Sequence, residues 1–430
     1  MKDSFVIRGN IIYSVDKDNL SVTEGGYAVC EDGICRGVYR ELPDEFKEFD
    51  LIDCGDKLVI PGMYDLHAHA PQYAFRGLGM DLELLDWLNS QAFPEESKYR
   101  DEEYARRAYR IFVEDLKNSF TCRASIFATA HTEATKILMS YLEESGLKTY
   151  VGRVNMDRNA ADYLVEESAE FSLRETVKTI EETAELENTK FILTPRFIPS
   201  CTDELMKGIS DIRKQYGLNV QSHLSENFGE IDWVRELCPW SDFYGDAYDR
   251  FGLFGGEDYK AIMAHCVHCS DEEIALMKER GVYVAHCPQS NTDLSSGIAP
   301  IRKYLNSGLK VGLGSDIAAG YTLDMFRTIV ETVQVSKLYW RLVDESMRPV
   351  TVKEAFYLAT VGGGSFYGKL GRFEEGYEFD ALVLDDSSIR TSLELNPGER
   401  LERAIYLGNT SLIIMKFVSG REISLEKSAQ

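Results

Sequence analysis

Two histidines one residue apart, His67 and His69 in His-Ala-His, follow directly on the apolar run Leu58 to Leu66. If that run is a strand, side chains two apart point the same way, and both imidazoles converge on one point at its end. Two imidazole nitrogens at one point suit a metal. Alone, a His-x-His is equally a polar loop that binds nothing, so its weight depends on where the rest of the seven histidines fall. His223, His265, His286 and Asp316 each end a short apolar run of their own. Three neutral nitrogens and one carboxylate oxygen from such a set suit zinc or ferrous iron and leave room for a water. A divalent ion lowers the pKa of such a water from about 16 to about 7, which yields a hydrolytic nucleophile at neutral pH.

Glu226 stands three residues beyond His223 in Ser222-His-Leu-Ser-Glu226. It is near enough to face the same ion without ligating it and can carry a proton to a substrate nitrogen. Without chemistry it is a first-turn glutamate favoured by the next helix dipole; its place beside His223 puts the catalytic role first. His131 opens His-Thr-Glu133, half of the zinc signature of cytidine deaminases, but the Pro-Cys-x-x-Cys half is missing. It is expected to be a hydrogen-bonded strand-end residue rather than a ligand. His268 is given no role, and His286 is expected to orient groups around the metal. Cys266-Val-His-Cys269 has ligand-like spacing without a second pair, so a structural zinc knuckle is not expected there.

Eight apolar runs alternate with amphipathic stretches: Leu58 to His67, Ala124 to His131, Lys148 to Asp157, Lys190 to Arg196, Asn219 to His223, Lys260 to His265, Val282 to His286, and Lys310 to Asp316. The stretches between them carry helix signals. Ser270-Asp-Glu-Glu273 reads as a capping box, Ile274, Leu276 and Met277 as an apolar face, and Gly281 as the stop. This alternation predicts an α/β fold, a closed (β/α)8 TIM-type barrel with its chemistry at the C-terminal strand ends. A doubly wound sheet would want a glycine-rich phosphate loop after its first strand, and none occurs. The flanks read as short β runs, among them Asn10-Ile-Ile-Tyr-Ser-Val15 and Ser411 to Val418. Neither buries much alone, so residues 1–57 and 370–430 are expected to form one small β-sandwich domain, leaving 58–369 as the barrel.

At 430 residues the chain can bury a large core, and its net charge of −24 excludes a nucleic-acid partner in the absence of a basic stripe. There is no apolar h-region at the start and no run of about 18 apolar residues, so no membrane is expected as a partner. Nine scattered cysteines read as free thiols, and a cytoplasmic location follows.

The order His67-Ala-His69, His223-Leu-Ser-Glu226, Ala264-His-Cys266 and Gly314-Ser-Asp316 resembles the amidohydrolase superfamily. The fourth run ends in Thr194-Pro-Arg196, without the bridging lysine of two-metal members, so the likeness is to the one-metal deaminase branch. Four segments resemble the members that act on guanine: His69-Ala-Pro-Gln-Tyr73, Gly79 to Leu88, Pro195-Arg-Phe-Ile-Pro-Ser-Cys201 and Ala285 to Asn291. The likeness runs from about Pro61 to Gly320 and is weaker in the flanks.

The resemblance implies that His67, His69, His223 and Asp316 hold one Zn2+, with Fe2+ as the alternative. It implies that Glu226, His265 and Asp316 are catalytic, with His265 contacting the water or the substrate. It further implies that Gln72, Arg196 and Phe197 read a purine, since an amide, a guanidinium and an aromatic face match a planar ring with a polar edge. The reaction implied is hydrolytic deamination of guanine to xanthine and ammonia, by a homodimer. Ala319, where a second glycine is expected, and the Cys266 to Cys269 segment depart from the usual pattern. Another purine, a pterin or a triazine is therefore the nearest alternative substrate. An inactive amidohydrolase-like binding or scaffold protein is the alternative of another class; retention of all four ligands and Glu226 speaks against it.

Overall fold

The computed structural model describes residues 4–425. The expected barrel is present. Its first four strands, Met63–His69, Thr121–Phe127, Lys148–Gly152 and Thr189–Phe191, pair in parallel in that order. The last four, Val220–Leu224, Ala261–His265, Tyr283–His286 and Lys310–Leu313, do the same. Leu193 N donates to Asn219 O at 3.0 Å and Gln221 N to Leu193 O at 2.9 Å, which joins the fourth strand to the fifth. Asp316 N donates to His67 O and His69 N to Ile317 O, both at 2.8 Å, which closes the eighth onto the first.

The first run, expected as one strand from Leu58 to His67, is two. Leu58 to Pro61 pair antiparallel with Ala381–Leu384 in the terminal sheet, and the barrel strand begins at Met63, past Gly62. A Cβ on Gly62 would lie 2.4 Å from Cys122 Sγ, so only glycine lets the chain pass here. Within the barrel strand the register slips: Asp65 faces Ala124, but Ala68, three residues on, faces Ile126, two residues on. This bulge reverses the facing of the strand. Leu66 packs in the barrel interior with Ile192, Ile262, Ala264 and Ala285, and strict alternation would turn His67 and His69 outward; with the extra residue they turn in.

Asp65, on the outer side of the same wall, is fully buried. Its Oδ1 accepts from His67 N at 3.1 Å and Ser315 N at 3.0 Å, and its Oδ2 from Ser315 Oγ at 2.5 Å. The carboxyl thus staples the first strand to the eighth.

Both chain ends contribute to a second layer, a seven-stranded sheet in the order Arg421–Glu422, Ile413–Val418, Ala381–Leu384, Asp50–Pro61, Phe5–Ser14, Leu20–Glu31, Ile34–Tyr39. Phe5 and Phe417 lie three strands apart in that order, about 14 Å in a flat sheet, yet their rings meet at 5.0 Å. The sheet therefore folds on itself around Phe5, Phe379, Phe417 and Val383, as a sandwich does. Arg123 of the second barrel strand donates to Asp380 at 2.7 Å and Glu378 at 2.7 Å, and Lys416 Nζ donates to the carbonyls of Lys117, Ser119 and Thr121. We propose sheet and barrel as the two domains, 1–57 with 370–430 and 58–369, with the first seam carried to Gly62 by the pairing of Leu58 to Pro61. Residues 1–3 and 426–430 of the expected flanks lie outside the described residues.

The helix after Ser270 forms as expected, with a difference at its cap. Gly281 ends the helix Asp271–Arg280 in a left-handed turn, φ 67°, and Ser270 Oγ accepts from Glu273 N at 3.2 Å. The reciprocal half of the capping box is absent: the Glu273 carboxylate instead accepts from Gly245 N at 2.6 Å and Ser225 Oγ at 2.9 Å. A buried carboxylate with two stronger donors in reach does not turn back to its own cap.

Replacing Asp65 with alanine orphans two buried N–H groups and a hydroxyl, and is expected to lower the free energy of unfolding by about 3 kcal/mol in urea titration. An unchanged denaturation midpoint would show that the seam does not depend on it.

Candidate active site

Six side chains meet at the C-terminal mouth of the barrel, each delivered by a strand end or the loop after it. His67 and His69 come from the first strand, His223 from the fifth, Glu226 from the loop beyond, His265 from the sixth and Asp316 from just past the eighth. Three of these turns use left-handed backbone on residues that have a Cβ: Ser225, φ 47°, His265, φ 71°, and Asp316, φ 45°. Such conformations are sparsely populated and persist where surrounding bonds fix them. Here the Glu273 carboxylate holds Ser225, Asn291 Oδ1 holds His265 Nδ1 at 2.9 Å, and His67 O holds Asp316 N.

The donor atoms converge. His67 Nε2 lies 3.2 Å and His69 Nε2 3.6 Å from Asp316 Oδ1, and the Nε2 atoms of His69 and His223 are 3.2 Å apart. His223 Nδ1–H donates to Arg196 O at 2.6 Å, which leaves its Nε2 as the lone-pair nitrogen. Burial holds the imidazoles of His67, His69 and His223 well below their ordinary pKa, with neighbouring histidines adding to the effect. They are therefore neutral and unprotonated on at least one nitrogen. Both nitrogens of His67 and Nδ1 of His69 are buried without a hydrogen-bond partner among the described residues. Unpaired buried nitrogens around one carboxylate oxygen fit a divalent cation, and His67 with His69 and His223, or with His265 and Asp316, form the candidate metal groups among the described residues. Cys266, Cys269, His131 and His286 belong to neither group.

Burial raises the pKa of the acids beside these imidazoles. Burial first, and then the charge of Asp316, pushes the Glu226 carboxyl up to about 8; burial pushes Asp316 up to about 6. Glu226 Oε1 accepts from Ser296 Oγ at 3.0 Å, while its Oε2 lies 3.4 Å from His265 Nε2. Asp316 Oδ2 lies 3.8 Å from the same nitrogen.

The cavity over these groups is about 430 Å³ including its mouth, within the usual range for small-molecule sites. Gln72, Arg196 and Phe197 line it beside Leu84, Trp87, Leu88 and Ala319. The buried Ala319 avoids positive φ, so the Cβ that replaces the expected glycine is tolerated in the wall. Glu96, which nothing in its Pro94-Glu-Glu-Ser97 context marks out, binds both Gln72 and Arg196. Glu230 is a second unanticipated acid of the wall; burial lifts it to about 7, and it accepts from Tyr244 Oη at 2.6 Å and Glu226 N at 3.2 Å.

The remaining histidines part from the site. His131 precedes the helix Thr132–Ser145 and lines a different cleft with Arg153 and Glu166. Its backbone N donates to Thr129 Oγ1 at 2.9 Å, but its buried Nε2 has no partner among the described residues, so the expected side-chain bond is not made by that nitrogen to any of them. His268 donates from Nε2 to Ser296 O at 2.7 Å, and its ring stacks on Phe228 with centroids 3.9 Å apart. Neither nitrogen of His286 has a hydrogen-bond partner among the described residues, so the expected orienting bond is not made to any of them.

The sequence profile of the amidohydrolase family matches residues 58–423. The guanine deaminase of Dictyostelium discoideum is 35% identical to this chain, covering 97% of it and 98% of the relative. That of Escherichia coli (strain K12) is 34% identical over 89% of this chain and 86% of the relative. Among solved structures, guanine deaminase from C. acetobutylicum with guanine bound in its active site superposes with a TM-score of 0.95, at 46% identity, over 98% of this chain and all of that one.

Elemental analysis of purified protein is expected to find one divalent ion per chain. Changing His223 or Asp316 to alanine should cut occupancy at least tenfold at limiting metal, because a ligand is lost, while His131→Ala should leave it intact. Equal losses in all three would place the ion elsewhere.

Proposed function

The chain belongs to the amidohydrolase family, and from that membership and the site's geometry we infer that it is a guanine deaminase, hydrolysing guanine to xanthine and ammonia. The observation that carries the reading is the meeting, in one cavity, of a hydrolytic cluster and a polar, planar wall suited to a purine edge. In the reaction a C2–O bond forms and the C2–N bond to the exocyclic amine breaks; of the water's two protons, one ends on the ring nitrogen beside C2 and the other leaves with the amine as ammonia.

We propose His67, His69, His223 and Asp316 as ligands of one zinc ion, with ferrous iron as the alternative; bound there, the ion supplies a water acidic enough to attack at neutral pH. Glu226 is the proton carrier. A carboxyl held up to about 8 by burial has its proton at neutral pH, and gives it to the ring nitrogen beside C2 as that carbon becomes tetrahedral. It then carries a proton to the departing amine. His265, with Nε2 facing both Glu226 and Asp316, holds the attacking oxygen in line between the two acids. Asp316 accepts a proton from the attacking water.

Arg196 and Gln72 bind the base through its polar edge, and Phe197 covers a face. The guanidinium has only donors, so it matches the exocyclic oxygen of guanine and repels an amino group in that place. Nine cysteines, none in a disulfide, support the proposed cytoplasmic location. No helix among the described residues is long and apolar enough to cross a membrane. The resemblance supports a homodimer, for which Leu338, Leu342 and Val343, all exposed, offer an apolar patch.

Incubation of the metal-loaded protein with guanine and a panel of aminopurines, pterins and triazines should release ammonia fastest from guanine. Absence of ammonia from guanine, with the metal verified, overturns the assignment. Glu226→Gln is expected to lower kcat by about 10²–10⁴-fold with metal content unchanged, the usual weight of a general acid/base. A variant that kept its kcat would remove Glu226 from the chemistry.

A further inference from the structure

Glu96 takes no part in the hydrolytic steps above, yet it is fully buried and touches both groups assigned to the base. Its Oε1 accepts from Gln72 Nε2 at 2.9 Å and from Arg196 Nη2 at 3.1 Å, and its Oε2 accepts from Arg196 Nη1 at 2.7 Å. The same short helix, Phe93–Ser97, places the Phe93 ring 4.9 Å from Arg196 Cζ. One helical turn thus grips the guanidinium by edge and by face.

A five-residue π-turn, Leu88–Ala92, feeds that helix. Such turns shift the register of side chains and recur at functional sites. Leu84 and Trp87 upstream of it and Leu88, its first residue, line the cavity, and downstream Glu96 reaches behind Gln72 and Arg196.

The chemistry of the contact fixes an orientation. An ionised carboxylate only accepts, so the end of the Gln72 amide turned toward it is the NH2. The amide oxygen is thereby set on the other side, where Ala318 N lies 3.5 Å away. Each Nη of Arg196 gives one hydrogen to Glu96, and the guanidinium is left with its remaining donors in a fixed plane.

We propose that Glu96 is the positioning residue for base selection: it locks the Arg196 fork and the Gln72 amide into the one arrangement that favours a ring with an exocyclic oxygen over one without it. The proposal rests on the reading of Arg196 and Gln72 given above. The hydrolytic groups stand on other elements, so loosening the lock weakens recognition of the base before it affects the attack on C2.

The test compares guanine with 2-aminopurine, which has the same amine at C2 and lacks the exocyclic oxygen. In Glu96→Gln the KM for guanine should rise about tenfold or more, with kcat changed less than about threefold, because a site built to hydrogen-bond a group loses its preference when the partner is misplaced. The kcat/KM for 2-aminopurine, or its Ki against guanine where turnover is slow, should move less than about threefold, so the preference for guanine falls. Glu96→Asp, which keeps the charge on a shorter stem, should fall between the wild type and Glu96→Gln. Arg196→Ala should show the same loss of preference as Glu96→Gln. Melting temperature and metal content accompany each variant.

A general structural role would depress both substrates alike, and that outcome overturns the proposal. So does an unchanged preference in Glu96→Gln while Arg196→Ala loses it, a result that leaves the reading of Arg196 standing. If Arg196→Ala also keeps the preference, the reading of the base wall fails and takes the proposal with it. Should Glu96→Gln fail to fold, Glu96→Asp decides: an intermediate preference supports the proposal, and a wild-type preference overturns it.

Discussion

The seam between the first and eighth barrel strands is the constraint on which the site depends. Three of the four proposed ligands, His67, His69 and Asp316, sit on its two sides. Their separations are set by backbone bonds that cross it, Asp316 N to His67 O and His69 N to Ile317 O. Asp65, two residues before His67, adds a carboxylate staple to Ser315, one residue before Asp316. Since backbone spacing is stiff where side-chain rotamers are not, a site built across a ladder is held within the small tolerance that metal geometry demands. His223 is tied in differently, through its Nδ1 to the carbonyl of Arg196, so a residue of the proposed base wall also fixes the tautomer of a proposed ligand.

Burial does two jobs here with opposite signs. It disfavours the charged form of every titratable group, which leaves the imidazoles of His67, His69 and His223 neutral and ready to donate lone pairs, and keeps the Glu226 carboxyl protonated. One apolar enclosure therefore prepares both the proposed ligand set and the proposed proton carrier. The guanidinium of Arg196 is the exception that needs its own counter-charge, and Glu96 provides it.

The barrel and the convergence of the proposed hydrolytic residues were legible because each rests on a local pattern. Apolar runs ending in His or Asp identify parallel strands and their C-terminal ends, and His-x-His and His-x-x-Glu place groups by spacing within one strand or loop. What escaped was set by partners distant in sequence. The bulge that turns His67 and His69 inward arises from pairing with Thr121–Phe127, and alternation read from Leu66 alone gives the wrong face. Glu96 and Asp65 look like ordinary acids until Arg196 and Ser315, about 100 and 250 residues away, arrive beside them. The missed half of the Ser270 cap has the same cause, because Glu273 is drawn to Ser225 and Gly245. Leu58 to Pro61 read as barrel because nothing nearby shows that their partner is Ala381–Leu384.

That last pairing bears on how the chain emerges from the ribosome. The strand Asp50–Pro61 has Phe5–Ser14 on one side from the outset, but its other edge waits for Ala381–Leu384, some three hundred residues later. At bacterial or eukaryotic rates of synthesis the delay is on the order of tens of seconds. Throughout it the nascent flank presents an unpaired apolar edge, Leu58-Val-Ile, of the kind that recruits foreign strands. The barrel can close while the flank still waits, so the terminal sheet is the step at which newly made chains are most exposed to chaperones and to one another.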